Sequence, residues 1–435
     1  MDRPGLLDWL IAPLTWLERS SGPKRLGLCF LYFLIIVVGG LLGWRWLSLW
    51  GLPDIGEPFD EARYGTVDVA DADNAMVFYR KAFDSLVSPK KAKPQPVLSG
   101  AWEDCDWATT DPAVRLWLEA NQKPLALWLE GAARPDSLLI QPQDLDEKSS
   151  LDELTYLPML ANLAKLEASR LQGVGNLEGA WSYYRAVLRS TRHVGRHGMS
   201  LQRTVGFNML ARATPDLIRW IDDSQMTPEL LRQAIRDVEA TRKMTPLNSE
   251  MIRADYFGVR ETIKKVAGKS SRGGSMRGEG LFSRSISGWP IIRQFLGREP
   301  ERTQRVHRLI VASNLAQCDR PGRDRPKLLS QNPMIYEIDD HTPAAVASIR
   351  PQELANWVAR SDYNLVVGNA GFQFARIEGE SGTFDFLLLR MSERAYTIEN
   401  GQPPKKYGEL LGRYLKSLPE GFEPADPVGP ATGSN

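Results

Sequence analysis

Cysteine is scarce and net charge is close to zero, and each shortage removes a class of answer. The 435 residues hold three cysteines. Cys29 lies in an apolar run, so only Cys105 and Cys318 stand outside it, and two cysteines are no disulfide framework. They leave open one bond in an oxidising compartment or two free thiols. A formal net charge of +1 gives no overall electrostatic case for binding nucleic acid. Runs that alternate at period two are few, so an extended sheet is not expected; the stretch from Val366 to Ile377 alone admits a short one. The chain has no G-x-S-x-G elbow, Walker loop, dinucleotide fingerprint or C-x-x-C pair. Ser88-Pro89-Lys90-Lys91 matches S-x-x-K in letters only, because Pro89 and its lysine-rich setting make it a linker. Composition is otherwise that of a folded protein, 43% hydrophobic and 25% charged.

One long apolar run is present. Leu26 to Gly43 carries 18 residues without a charge, near the lower limit for crossing a bilayer core. Trp44, Trp46, Leu47, Leu49 and Trp50 extend it into an aromatic belt around Arg45, whose long side chain reaches back to headgroups. The pattern predicts a transmembrane helix over 26–47, with the lipid bilayer as its partner. No A-x-A site follows the run, which favours an uncleaved anchor over a signal peptide. Arg19, Lys24 and Arg25 precede it closely, while Arg45 and Arg63 follow among Asp54, Glu57, Asp60 and Glu61. That bias puts the N-terminus, residues 1–25, inside and the bulk of the chain outside a bacterial inner membrane. Residues 6–17 are apolar but short and contain Asp8 and Pro13, which suits an interfacial segment.

Beyond the anchor the period is helical, and about 380 residues suffice for two ordinary domains or one elongated helical array. Ala75, Tyr79, Ala82, Phe83 and Leu86 share a face, as do Val114, Trp117, Leu118, Leu125, Trp128 and Leu129. Leu160, Leu163, Ala164, Ala168 and Leu171 make another stripe, followed by Leu177, Ala180, Trp181, Tyr184, Val187, Leu188 and Thr191. Phe384, Leu388, Met391, Ala395 and Ile398 repeat the spacing near the end. Asp111-Pro112 and Thr227-Pro228 each pair an N-cap with a proline at the first helical position, and Asn400-Gly401 supplies a left-handed stop. The expected organisation is a mainly α outer domain over 54–423. Mobile loops are expected near 88–101 and 268–288, and a fraying tail over 424–435.

Leu163 to Leu188, with Gly175-Asn176 at a turn, Ala180 at the helix crossing and Tyr184 and Ala186 in the second helix, resembles a tetratricopeptide hairpin. Asn74 to Phe83 is similar to a second-helix fragment of the same kind. The resemblance covers one full and one partial unit and implies a hairpin array that presents a concave surface to a peptide or protein. The C-terminal spacing of Tyr396, Asn400-Gly401, Pro403-Pro404, Leu410-Leu411, Tyr414-Leu415, Leu418-Pro419 and Asp426-Pro427 resembles the end of type II secretion pseudopilins. Those proteins begin with a processed leader that this chain lacks, so pilus assembly is not implied. Locally, the pattern predicts a short helix folding back through Tyr407, Leu411, Tyr414 and Leu415. The overall order is similar to that of uncharacterised bacterial single-span proteins with helical outer domains; it implies a fold and no activity.

Candidate chemistry is thin. His193 and His197 stand four apart, a spacing that lets two helical side chains face one ion, yet the pair lacks the glutamate of H-E-x-x-H and has Arg196 between. The competing reading is two polar histidines near a helix end, where they suit its dipole. Asp339-Asp340-His341 offers two carboxylates beside an imidazole, but Thr342-Pro343 makes a solvated turn. Lys264 to Arg284 carries six basic residues and one acid, Glu279, which suits either anionic lipid or a solvated loop before a core helix. Trp102 and Trp107 flank Cys105 as a candidate contact patch. No catalytic residue and no cofactor emerges. The leading expectation is an interaction scaffold with an unidentified protein partner in the envelope. The alternatives are a metal-dependent enzyme using His193, His197, His307 or His341, and a structural member of a secretion or envelope complex.

Overall fold

The computed structural model describes residues 22–47, 49, 50, 52, 54–96, 106–145, 151–270, 298–319 and 370–428. Helix is the regular element throughout these, joined only by isolated bridges such as Asn74 with Asp136. The short sheet admitted near Val366 is not formed from Ala370 onward, where the chain is already helical. The segment 6–17, Trp102, Cys105 and Asp339 to His341 lie outside the described residues, as do 271–288 of the expected Gly/Ser/Arg linker.

Helix α1 (Pro23–Leu47) contains an apolar span, Cys29–Leu47, of which 0% is buried against the rest of the protein. A short helix α2 (Glu61–Tyr64) follows, its first turn capped by the Asp60 carboxylate, which accepts from the Arg63 N–H. Helix α3 (Ala75–Ser85) starts at Asn74, whose Oδ1 accepts from Met76 N at 3.0 Å and from Leu138 N at 2.9 Å. One side chain thus caps a helix and holds a strand-like stretch 64 residues away.

The stripe over 114–129 is two helices, α4 (Pro112–Ala120) and α5 (Gln122–Ala132), and not one. Pro124 has no N–H to give the Ala120 carbonyl, so the ladder opens there. Asn121, fully buried at the break, donates to Trp117 O at 2.8 Å and accepts from Val87 N at 2.9 Å.

Helices α6 (Leu151–Gly173) and α7 (Leu177–Val194) form an antiparallel hairpin. Its turn is a Schellman stop: Asn176 N bonds Leu171 O, Gly175 N bonds Gln172 O, and Gly175 takes φ +79°. Asn176 then caps α7 by accepting from Gly179 N. Helix α8 (Ser200–Ile221) returns along α7, and α9 (Pro228–Arg242) follows it. Trp181 stacks on Trp220 at 4.8 Å between centroids, and each indole N–H is satisfied, by Asp237 and by Leu177 O. The long α12 (Ala370–Asn400) closes this core against α8 and α9.

A second, smaller core joins α10 (Asn248–Ser270) to α11 (Glu299–Gln317) through Met251, Ile252, Tyr256, Val311 and Cys318. The Asp319 carboxylate past the end of α11 accepts from Ser249 N in the first turn of α10, where a negative charge suits the helix dipole. After Gly401, at φ +73°, the chain folds back onto the main core as a short 3-10 turn, Tyr407–Leu410. Leu410, Tyr414 and Leu415 are buried, while Leu411 is only half-buried, so the fold-back uses the neighbouring leucine rather than the one the spacing suggested.

Helices α7 and α8 meet at Gly206, where an added Cβ would stand 2.4 Å from Thr191 O. Backbone cannot retreat as a side chain does. Gly206→Ala is therefore expected to lower the unfolding free energy by about 1–3 kcal/mol. Gly173→Ala, with nothing within 4 Å of its Cβ, is expected to change it by less than about 0.5 kcal/mol. Urea denaturation of the full chain followed by circular dichroism checks both, and equal effects would contradict the close crossing.

Candidate functional site

The two histidines that stand four apart are separated by the end of a helix. Helix α7 stops at Val194, and His197 lies beyond it with φ 54°, in a left-handed turn. Its Nε2 meets Asp136 Oδ1 at 3.2 Å, beside Arg196, whose Nε donates to the same oxygen at 2.6 Å. His193 points inward. Its Nε2 lies 3.0 Å from Arg134 O and its Nδ1 2.8 Å from the Tyr79 hydroxyl. A carbonyl can only accept, so Nε2 carries the proton and Nδ1 accepts from Tyr79. Both nitrogens of His193 are committed to the fold, and the two rings do not converge on a common point. Among the described residues no group of three or more His, Cys, Asp and Glu is placed to hold a metal ion.

Burial, with the charges of Arg189 and Arg196, pushes His193 down to about 3. Burial raises the Asp136 carboxyl, but the His197 hydrogen bond, the Ser137 N–H and the Arg196 charge outweigh it and hold Asp136 below the ordinary range. Arg189 completes this region by capping α5: it donates to the carbonyls of Ala132, Ala133 and Arg134. The arrangement is a polar seam that joins α3, α5 and α7. A neutral imidazole locked between a hydroxyl and a carbonyl neither gains nor loses a proton near neutral pH.

His307, on α11, is buried and stacked on Tyr256 at 5.0 Å between centroids. Burial and the Arg308 charge push it down to about 3. His341 lies outside the described residues. Cys318 is buried, its Sγ 3.7 Å from Leu315 O. Trp107 is half-buried beneath the Arg115 guanidinium, 4.8 Å from its ring centroid, and holds a packing role.

Periodicity gives no warning of the charges inside the core. Glu380, on α12, is buried and bonds two buried arginines, Arg192 on α7 and Arg203 on α8. Arg192 also donates to Thr245 Oγ1 and lies over the Phe384 ring at 4.9 Å, while Arg203 donates to Asn248 Oδ1 at 2.9 Å. On the other side of α8, Lys165 pairs with Asp216 at 2.9 Å, both side chains 2% exposed. The same ammonium reaches Arg212 O at 3.1 Å, beside the helical turn that Pro215 leaves without a donor. A third acid, Asp255 on α10, accepts from Ser200 N and Oγ at 2.9 and 3.0 Å, at the start of α8. Burial pushes this carboxyl up to about 6 against those two bonds.

A last cluster lies where the chain leaves α1. Arg305 donates to Leu52 O at 3.0 Å, Arg308 bonds Asp54 and Glu57, Tyr256 bonds Glu57, and Arg260 bonds Glu61. Phe59 sits edge-on to Tyr64, Tyr256 and Phe257, with centroids 5.3–6.1 Å away. Tyr64 in turn lies under the Arg253 guanidinium at 3.9 Å.

Removing one partner from a buried ion pair leaves an uncompensated charge. Glu380→Ala is thus expected to cost about 3–5 kcal/mol by urea denaturation, and a cost below about 1 kcal/mol would refute its role. The two buried histidines set a pH dependence. Their folded pKa lies below the unfolded value, so the stability each contributes is complete above pH ~6.5 and is lost as the pH falls towards 3. Each is expected to remove about 2 kcal/mol between pH 7 and pH 5. Asp255 runs the other way, losing stability as the pH rises through about 6, so the reading is taken between variants. His193→Gln should flatten the pH slope of the melting temperature, and an unchanged slope would contradict a neutral His193. No family model, curated protein or solved structure matches this chain, so the geometry stands by itself.

Proposed function

We propose that this protein is a membrane-anchored scaffold whose helical hairpins present a surface to a protein partner. The observation that carries this is α1: an apolar helix with 0% of its span buried, joined to a large helical domain. An apolar surface of that extent is stable only in lipid or against another protein. The flanking basic residues favour the N-terminus inside and the helical domain outside the inner membrane. The α6–α7 hairpin supports a tetratricopeptide-like array, with Gly175 and Asn176 at its turn and Ala180 fully buried between its helices.

The polar groups support a scaffold over an enzyme. His193, Lys165, Asp216, Arg192, Arg203 and Glu380 tie helices together, Asp136 ties the segments that follow α5 and α7, and the rings of His193 and His197 do not meet. The C-terminal stretch spends Leu410, Tyr414 and Leu415 on the domain's own core, which favours a structural place inside the fold over an assembly signal.

Cross-linking in intact membranes, followed by affinity purification, tests the reading. A reproducible, near-stoichiometric protein partner is expected. Clean recovery of the chain alone would overturn the scaffold reading. Release of the chain by alkaline carbonate would overturn the anchor.

A further inference from the structure

The chain beyond α12 closes on itself. Val428 N bonds Lys405 O at 3.2 Å, Tyr407 N bonds Asp426 O at 3.2 Å and Gly408 N bonds Pro424 O at 3.0 Å, so the two ends of the segment 405–428 lie side by side. Inside that closure Leu415 N bonds Leu410 O at 3.0 Å and Gly412 N bonds Leu415 O at 2.8 Å. Tyr407 and Phe422 meet edge-on within it, with centroids 5.0 Å apart. Among the described residues, every backbone-to-backbone hydrogen bond made by 402–428 has both ends in 402–428. A strand pulled from a sheet leaves backbone N–H and C=O groups without partners. This segment can part from its neighbours with its backbone bonds intact.

The rest of the protein holds it by side chains. Leu410, Tyr414 and Leu415 are buried in the main core, and Tyr414 meets Tyr396 of α12 at 6.1 Å between centroids. The Tyr396 hydroxyl donates to Glu409. The other polar ties converge on two acids. Glu399, in the last turn of α12, accepts from the Tyr414 hydroxyl and pairs with Arg413 at 2.8 Å, and Glu239 of α9 faces Lys416 at 3.8 Å. The Arg413 and Lys416 side chains are more than half exposed, so water readily replaces these pairs. Glu399 also pairs with Arg232 of α9, a bond within the face that the segment covers. The linker adds nothing that must break: Gly401 and Gln402 are exposed, and Pro403 and Pro404 carry no N–H.

We propose that residues 402–428 are a detachable lid, and that the α9–α12 face beneath it is where the scaffold's protein partner docks. The lid is the template for what that face accepts. A partner segment needs apolar side chains in the places of Leu410 and Leu415, a phenol whose hydroxyl donates to Glu399, and a cation beside Glu399 or Glu239. The closed lid keeps the face out of water until such a segment displaces it. A tethered lid competes at an effective concentration on the order of millimolar, which sets the affinity a partner must exceed. This rests on the scaffold reading, since it names the surface that the partner meets.

The test uses the full chain in detergent micelles, with a protease site inserted between the exposed Gly401 and Gln402. The probe is a dye-labelled synthetic peptide of residues 402–428. Fluorescence anisotropy reads its binding before cleavage, and again after cleavage and removal of the cut lid by gel filtration. Saturable binding to the cut chain is expected, with affinity for the uncut chain lower by about ten-fold or more because the tethered lid competes. Glu399→Gln in the cut chain is expected to weaken binding about three-fold. A peptide carrying Leu410→Asp and Leu415→Asp is expected not to bind. A cut lid that gel filtration does not separate, or helix content that falls when it leaves, overturns the proposal, because the segment is then part of the core. Equal affinity for cut and uncut chains, or no binding to the cut chain, also overturns it. A partner recovered by cross-linking in membranes is expected to displace the peptide from the cut chain, and a purified partner that does not displace it overturns the docking face. Each of these failures leaves the scaffold reading standing, since recovery of a partner decides that reading by itself.

Discussion

A carboxylate buried between two guanidiniums is tolerable only where both are in place. Glu380 sits in that position, and the long α12 reaches the α7–α8 pair through it. Desolvating three charges is unfavourable, and mutual attraction offsets it only with the remaining donors satisfied. Here Thr245 and Asn248 take the outer donors of Arg192 and Arg203, and the Phe384 ring covers the face of Arg192. Apolar stripes alone allow neighbouring helices to slide by a turn, ~5 Å. A buried acid with two fixed partners does not, since such a slide strands all three charges. Lys165 with Asp216 does the same between α6 and α8, at the turn that Pro215 loosens.

The same logic assigns the other polar residues. His193 keeps one proton between Tyr79 and Arg134 O because two charged neighbours, Arg189 and Arg196, make its cationic form costly in a buried place. Arg189 is spent on the open end of α5, and Asp136 on Arg196 and the backbone. These residues resemble reactive ones in their burial and shifted pKa values, yet each faces a partner within the fold. The seam they form explains how α3 and α5, which precede the α6–α7 hairpin, are joined to it.

The α10–α11 pair follows a different rule. Its core is small, and its outward face is arginine and carboxylate rather than leucine. Charged contacts of this kind suit a joint at a wet boundary, where they fix geometry without requiring full desolvation. The main core is thus set by buried ties and the α10–α11 pair by partly exposed ones.

Helix content, the apolar span and the main boundaries are legible in the sequence because they depend on neighbours three or four residues away. Asp111, Asn176, Thr227 and Gly401 act as caps and stops where local chemistry puts them. The break at Asn121 is the instructive exception: the stripe continues across it, and only Pro124 betrays it. The spacing of His193 and His197 is legible too, but not that the helix stops between them. Nothing local marks Glu380 as the partner of residues 177 and 188 positions away, or Arg305 as the partner of Leu52. Sequence by itself determined which segments are helical and which one is apolar enough to enter a bilayer, because both are short-range properties of the chain. Tertiary structure alone decided which charges are buried and against what, because the free energy of an ion in a protein is set by groups that only folding brings within a few ångströms.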